Sequence, residues 1–131
     1  MIVDSSALVA VLAGEEGADR LLQAMLRAPR LAMSAATFTE CAIVVNRRAT
    51  RATRRRFDEV LEVLGIEVVP FTAEQARVAR EAHRDFRKGS GSPSRLNLGD
   101  YFTYALAAEM REPLLVTGDD FTHTDLRRAE A

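Results

Sequence analysis

Short apolar segments alternate with longer amphipathic segments along this chain, and this alternation is the feature that most restricts its fold. Four segments have the length and residue types of β-strands, near residues 1–3, 31–33, 66–69 and 114–117. The longer segments carry apolar residues at helical spacing. Chains of this kind form a parallel sheet with helices on both faces. The sequence therefore predicts an α/β fold, a three-layer sandwich with a short central parallel sheet of four or five strands and about seven helices.

Capping and breaking residues set the expected helix boundaries. Ser5 or Ser6 can cap the first helix, and Gly14 ends it. Pro29 stops the second helix, and Ser34 can cap the third. The helices after the first are expected at residues 15–27, 34–48, 53–64, 72–88, 100–110 and 121–128.

The composition fits one domain, residues 1–131, with a sizeable core, because 47% of the residues are hydrophobic. The formal net charge of −1 provides no overall attraction to nucleic acid or acidic lipid. The one cysteine, Cys41, is expected to be a small buried hydrophobe, and a reducing, cytoplasmic environment suits the absence of any disulfide. No membrane-spanning segment is expected, because no apolar run approaches about 18 residues. No signal peptide is expected, because the N-terminus lacks a basic region followed by an apolar stretch.

Acidic residues stand beside several of the apolar segments. They are Asp4, Glu40, Asp100 and the pair Asp119-Asp120. In a parallel sheet the carboxyl ends of the strands lie at one edge, where ligands bind, so these acids can converge. Converging carboxylates repel each other and need a hard divalent cation, Mg²⁺ or alternatively Mn²⁺. A metal that activates water is a standard means of cleaving a phosphodiester. The alternative is chance, since the chain contains 19 acidic residues.

Three sequence motifs contain four of these five acids. They are Met1-Ile2-Val3-Asp4-Ser5-Ser6-Ala7-Leu8, Leu96-Asn97-Leu98-Gly99-Asp100-Tyr101-Phe102, and Leu115-Val116-Thr117-Gly118-Asp119-Asp120-Phe121. Each resembles a motif of the PIN-domain nucleases, and in this order they resemble the VapC toxins of bacterial toxin–antitoxin pairs. The resemblance implies a PIN-like fold and a Mg²⁺-dependent ribonuclease held inactive by a VapB-type antitoxin. A homodimer, or a larger assembly with the antitoxin, is expected as well.

The same resemblance assigns roles to the acids. Asp4 and Asp100 correspond to the two principal metal carboxylates, and Glu40 corresponds to the helical glutamate that supports the metal or orients water. The fourth acid is open, because Asp119 and Asp120 both fit the patterns of the family, and Asp119 is preferred because it stands closer to the strand end. The expected catalytic acids are therefore Asp4, Glu40, Asp100 and Asp119, with Asp120 as a further candidate metal ligand.

Two polar residues have supporting roles by the resemblance. Ser6 corresponds to a hydroxyl next to the first aspartate, although a helix N-cap would explain it equally. Asn97 is expected to orient its loop through side-chain hydrogen bonds, as asparagine does in turns. The histidines His83 and His123 are expected to be structural or at the surface.

Arginine supplies almost all of the positive charge, and six arginines are concentrated at the end of the third helix and the start of the fourth. They are Arg47, Arg48, Arg51, Arg54, Arg55 and Arg56. The planar guanidinium suits phosphate binding, so Arg51, Arg54 and Arg55 are candidate RNA-binding residues. Alternatively, the stretch is a solvated turn between helices or a contact with a partner chain.

Two other functions compete with an RNA-cutting enzyme. One is a non-catalytic α/β interaction module, in which the acidic and arginine-rich surfaces only bind partners. The other is a phosphate-accepting receiver domain, which needs an acidic pair after the first strand and a lysine after the last. It fits poorly, because Asp4 is a single acid and Lys88 is the one lysine. Loss of RNA cleavage on metal chelation would separate the enzyme from the interaction module.

Overall fold

The computed structural model describes residues 1–48, 50–87 and 89–131, with short strands between longer helices. The strands are β1 (Ile2–Val3), β2 (Ala32–Ser34), β3 (Glu67–Val69) and β4 (Leu114–Leu115). The helices are α1 (Ser5–Ala13), α2 (Ala18–Arg27), α3 (Ala35–Arg48), α4 (Arg51–Leu64), α5 (Ala73–Phe86) and α6 (Leu98–Met110). In the described residues, none of these helices has the length and apolarity needed to cross a membrane. The expected end of the fifth helix at Lys88 lies outside the described residues.

The four strands form one parallel sheet in the order β3-β2-β1-β4. Ile2 is aligned with Ala32 on one side and with Leu114 on the other, and Ser34 is aligned with Val69. The predicted α/β architecture with a central parallel sheet is thus confirmed. The described residues contain six helices, which is slightly fewer than the seven expected.

Alternating side chains of the strands divide the core between the two faces of the sheet. Val3, Met33 and Leu115 join the apolar cluster that includes side chains of α1 to α4. Their neighbours Ile2 and Leu114 point the other way and join the cluster that includes α5 and α6. Helices therefore cover both faces, as a three-layer sandwich requires, and the carboxyl ends of β1 and β4 lie side by side.

The prediction of a seventh helix at residues 121–128 is wrong. The segment forms turns, and Arg128 then makes an isolated parallel bridge with Leu114 of β4. The Thr124 hydroxyl donates to the carbonyl of Phe121 at 2.8 Å. Threonine has a low helix propensity, and its hydroxyl competes for the backbone groups that a helix would pair.

Several helices, α6 among them, begin at residues other than those expected. Asp4, rather than Ser5 or Ser6, is the N-cap of α1. Gly17 precedes α2 with a φ of 84°, so residues 15–16 stay outside that helix. Thr50 caps α4, which starts two residues earlier than predicted. The cap of α1 matters most for the site, because it fixes an acidic side chain directly after β1.

Candidate active site

Four carboxylates border one cavity of about 290 Å³ at the carboxyl ends of β1 and β4. The cavity is lined by Asp4, Ser5, Ser6, Val9, Glu40, Val44, Asn97, Asp100, Thr117, Asp120 and Phe121. Among these described lining residues there is no arginine, lysine or histidine. In the described part of the chain, no basic side chain lines the cavity to offset the negative charges. The cavity lies at the edge where ligands bind in parallel sheets.

Asp4 is held through both of its carboxylate oxygens. It follows β1 directly and is 3% exposed. Oδ2 accepts from the Ser6 amide at 3.0 Å and from the Ser6 hydroxyl at 2.7 Å, and Oδ1 accepts from the Thr103 hydroxyl at 2.5 Å. Ser6 Oγ accepts in turn from the amide of Thr117, just after β4, at 3.1 Å. The Asp4 carboxylate is thus fixed in orientation, and Ser6 links the ends of two strands.

Asp100 lies in the first turn of α6 and forms a capping box with Asn97. The Asn97 amide donates to Asp100 Oδ2 at 2.8 Å, and the Asp100 amide donates to Asn97 Oδ1 at 3.1 Å. Burial raises the pKa of Asp100 from 3.8 to about 7; the Asn97 amide opposes this rise, while the charges of Asp4, Asp120 and Glu40 add to it. The ionised carboxylate is therefore poorly solvated and repelled by its neighbours.

Glu40 reaches the same cavity from the second turn of α3. Its carboxylate lies against the backbone of Gly99, the residue before Asp100. A Cβ on residue 99 would collide with both carboxylate oxygens of Glu40, so glycine is needed for this close approach. The missing side chain allows α3 and α6 to bring Glu40 and Asp100 to one cavity.

The two candidates for the fourth acid lie in different surroundings. Asp120 borders the cavity, and its charge helps to raise the pKa of Asp100. Asp119 is not among the described lining residues; its side chain is 97% exposed, and its Oδ1 lies 3.8 Å from Arg128 Nη1. The geometry favours Asp120. Nearness to the strand end, which favours Asp119 in the sequence, does not determine which side chain turns inward.

The donor set suits a hard divalent cation. Its charged groups are carboxylates, the oxygen ligands that Mg²⁺ and Mn²⁺ prefer, and a cation would neutralise the charge that raises the pKa of Asp100. Over the residues that the structure describes, no three acidic, histidine or cysteine side chains are gathered closely enough to surround an ion by themselves. Because Mg²⁺ commonly keeps several waters and takes one or two carboxylates, the open arrangement still fits it, with Asp4 and Asp100 as the buried pair.

Comparison with known proteins agrees with the fold. The chain matches the PIN domain family over residues 1–126. The chain belongs to the PIN-domain family. Its sequence is 50% identical over 129 residues to ribonuclease VapC42 of Mycobacterium tuberculosis, and the match covers 98% of both proteins. The resemblance to VapC proteins, inferred from three sequence motifs, is thus confirmed, and it extends over nearly the whole chain.

Solved structures show the same fold at low sequence identity. VapC20 of Mycobacterium tuberculosis, a Sarcin-Ricin loop cleaving toxin, matches this PIN domain with a TM-score of 0.75 at 18% identity, over 99% of this chain and 98% of that chain. A toxin–antitoxin complex from Klebsiella pneumoniae matches with a TM-score of 0.73 at 18% identity, over 95% and 92% of the two chains. These likenesses establish the architecture.

Outside the cavity lining, three residues that were not predicted as site residues pack against the acids or their partners. They are Gly99, Thr37 and Thr103. Thr103 follows Asp100 by three residues on α6, and Thr37 precedes Glu40 by three residues on α3. Side chains three apart are neighbours on a helix, so the spacing places each threonine on the same helix face as an acid, but it does not show the bonds that Thr103 makes to Asp4 and Thr37 makes to Thr103.

The remaining polar candidates lie outside the acidic cavity. Arg51, Arg54 and Arg55 are exposed near the start of α4, and Arg55 Nε lies 3.1 Å from Glu59. The side chain of Arg48 is outside the described part of the chain. Cys41 is fully buried, and burial raises the pKa of its thiol to about 12, with the charges of Asp4 and Glu40 adding to the rise. The expectation that Cys41 is a buried residue is confirmed.

A larger cavity, of about 620 Å³, lies between α5 and α6. Its described lining residues are apolar or basic and include His83, Arg80 and Arg87, with no carboxylate among them. The chemistry that the four acids provide therefore belongs to the smaller cavity.

Proposed function

We propose that this PIN domain is a divalent-metal-dependent endoribonuclease and the toxin of a type II toxin–antitoxin pair. The observation that carries the proposal is the cavity in which Asp4, Glu40, Asp100 and Asp120 meet. A carboxyl whose pKa is raised by burial and by like charges in a cleft is typical of a functional site. Identity of 50% to a protein named ribonuclease VapC42 supports RNA as the substrate class.

In this proposal, Asp4 and Asp100 hold the metal, which is Mg²⁺ or alternatively Mn²⁺. When bound, the metal lowers the pKa of a water ligand and neutralises charge on the scissile phosphate. Glu40 and Asp120 supply the other two carboxylates of the cavity, and Glu40 orients water. Ser6 keeps Asp4 in its orientation, and the capping box of Asn97 keeps Asp100 at the start of α6.

The proposed partners are RNA and a VapB-type antitoxin. The likeness in fold to a toxin–antitoxin complex from Klebsiella pneumoniae and the identity to VapC42 support the antitoxin. A homodimer, or a larger assembly with the antitoxin, and action in the cytoplasm complete the proposal. Residues 1–131 would act as one nuclease domain, since the apolar cluster of α1 to α4 includes both Met1 and Ala129.

Arg51, Arg54 and Arg55 are proposed to hold RNA phosphates. They lie at the start of α4, directly after the helix that carries Glu40. The pair of Arg55 and Glu59 has side chains that are 82% and 60% exposed, and exposed pairs contribute little to stability. Arg55 can therefore exchange this partner for a phosphate at small cost.

The test is cleavage of a labelled RNA by the purified protein in Mg²⁺, Mn²⁺ or EDTA. Products are expected with either metal, and none with EDTA or in Asp4→Asn and Asp100→Asn. Asp19→Asn, an exposed acid in the first turn of α2, is the matched control and should cleave like the wild type. Cleavage that persists in EDTA and in both site variants would refute the metal site. A folded protein that binds a small partner protein but never cleaves RNA would instead favour the non-catalytic interaction module.

A further inference from the structure

Two buried threonine hydroxyls connect the elements that carry three of the acids. Thr37 and Thr103 are both 0% exposed. The Thr103 hydroxyl donates to Asp4 Oδ1 at 2.5 Å, and the hydroxyl of Thr37 lies 3.3 Å from that of Thr103. Thr103 lies about one turn after Asp100 on α6, and Thr37 lies about one turn before Glu40 on α3. The hydroxyl pair thus joins the end of β1, α6 and α3 beneath the cavity.

The direction of these hydrogen bonds follows from the available protons. An ionised carboxylate only accepts, and a threonine hydroxyl has one proton to donate. Thr103 gives its proton to Asp4, so Thr37 donates to Thr103. Asp4 Oδ2 already accepts two bonds from Ser6, whereas Thr103 is the one donor to Oδ1 among the described residues. Oδ1 therefore keeps acceptor capacity for a cation.

We propose that Thr103 and Thr37 are positioning residues of the metal site, an inference that rests on the proposed metal role of Asp4. Thr103 fixes the plane of the Asp4 carboxylate, and Thr37 fixes the hydroxyl of Thr103 while holding α3, with Glu40, against α6. A valine of similar size would fill the same space without the hydroxyl, so Asp4 could rotate about χ2. Groups that hold a metal-ligating side chain typically account for a 10–100-fold difference in metal affinity or activity.

The experiment compares Thr103→Val, Thr103→Ser and Thr37→Val in the full chain. Mn²⁺ affinity is measured by isothermal titration calorimetry, and kcat and KM are measured on a labelled RNA. Thr103→Val should weaken Mn²⁺ binding by about 10-fold or more and lower kcat, with KM little changed, because the RNA contacts remain. Thr103→Ser keeps the hydroxyl and should restore both quantities. Thr37→Val should have a smaller effect in the same direction.

Thr39→Val is the matched control, because Thr39 is also on α3 but is exposed and donates to the carbonyl of Ala35 at 2.9 Å. It should bind Mn²⁺ like the wild type. Circular dichroism melts without metal establish that each variant is folded at the assay temperature. If Thr103→Val does not fold, Thr37→Val decides: weaker Mn²⁺ binding than in the control supports the inference, and equal binding overturns it.

The outcomes also separate this inference from the proposed function. Mn²⁺ binding and RNA cleavage in the wild type, with a folded Thr103→Val that matches it, would overturn only the positioning role. Failure of Thr103→Ser to restore affinity would overturn it too, since the hydroxyl would then not be the group that matters. A wild-type protein that neither binds Mn²⁺ nor cleaves RNA would overturn the proposed function, and with it the metal role of the two threonines.

Discussion

Replacing Asp100 with asparagine should stabilise the metal-free protein at pH 8. The pKa of Asp100 rises on folding from 3.8 to about 7, chiefly through burial. Below about pH 4 the carboxyl is protonated in both states; as the pH rises from there to about 7, the unfolded chain releases the proton while the folded protein keeps it, so stability falls. A rise of about three pKa units corresponds to a loss of about 4 kcal/mol at pH 8, since each unit is worth about 1.4 kcal/mol. Asparagine avoids this loss and keeps a carbonyl oxygen for the Asn97 amide.

Urea unfolding in EDTA at pH 4 and pH 8 measures this effect. The free energies of unfolding of Asp100→Asn and wild type should be similar at pH 4, and the variant should be more stable by about 2–4 kcal/mol at pH 8. Asp119→Asn removes the same charge from a side chain that is 97% exposed, so it should show no such pH-dependent gain. A gain of equal size at both pH values, or none at pH 8, would show that ionisation of buried Asp100 does not limit stability.

Four further outcomes are expected. Gly99→Ala should lower RNA cleavage on the order of 10²-fold, because the added methyl group displaces the Glu40 carboxylate. The free energy of unfolding should change by only about 1 kcal/mol, because alanine favours the helix. Cleavage assays and urea unfolding of the same variant check both effects. Asp120→Asn should weaken Mn²⁺ binding in calorimetry more than Asp119→Asn, and the reverse order would contradict the geometry. Mn²⁺ at about 100 times its Kd should add about 2.7 kcal/mol of stability, seen as a higher Tm that EDTA reverses. Simultaneous replacement of Arg51, Arg54 and Arg55 by glutamine should flatten the salt dependence of RNA affinity, measured at several salt concentrations. An unchanged slope would assign these arginines to a solvated turn or a partner contact.

The fold was predictable where local pattern and packing agree. Strands such as Ile2–Val3 and Leu114–Leu115 are short, yet they are fully buried and each is followed within two positions by a polar residue, so their place in a parallel sheet could be inferred. The last segment was not predictable from apolar spacing alone. Its apolar residues Phe121 and Leu126 are five positions apart, which is not helical spacing; the hydroxyl of Thr124 bonds within the turn, and Arg128 pairs with β4.

Convergence of Asp4, Glu40 and Asp100 could be inferred from the sequence, because strand ends and helix starts meet at one edge of a parallel sheet. The choice between Asp119 and Asp120 could not, since neighbouring side chains differ only in the direction set by the turn after Gly118, whose φ is 74°. The roles of Thr37 and Thr103 were hidden for a different reason. A threonine inside an apolar helix face looks like a tolerated core residue until the acid that it bonds, on another element, is known. Sequence patterns therefore locate charged residues that lie at strand ends and helix starts. The neutral groups that orient those charged side chains are fixed by tertiary packing alone.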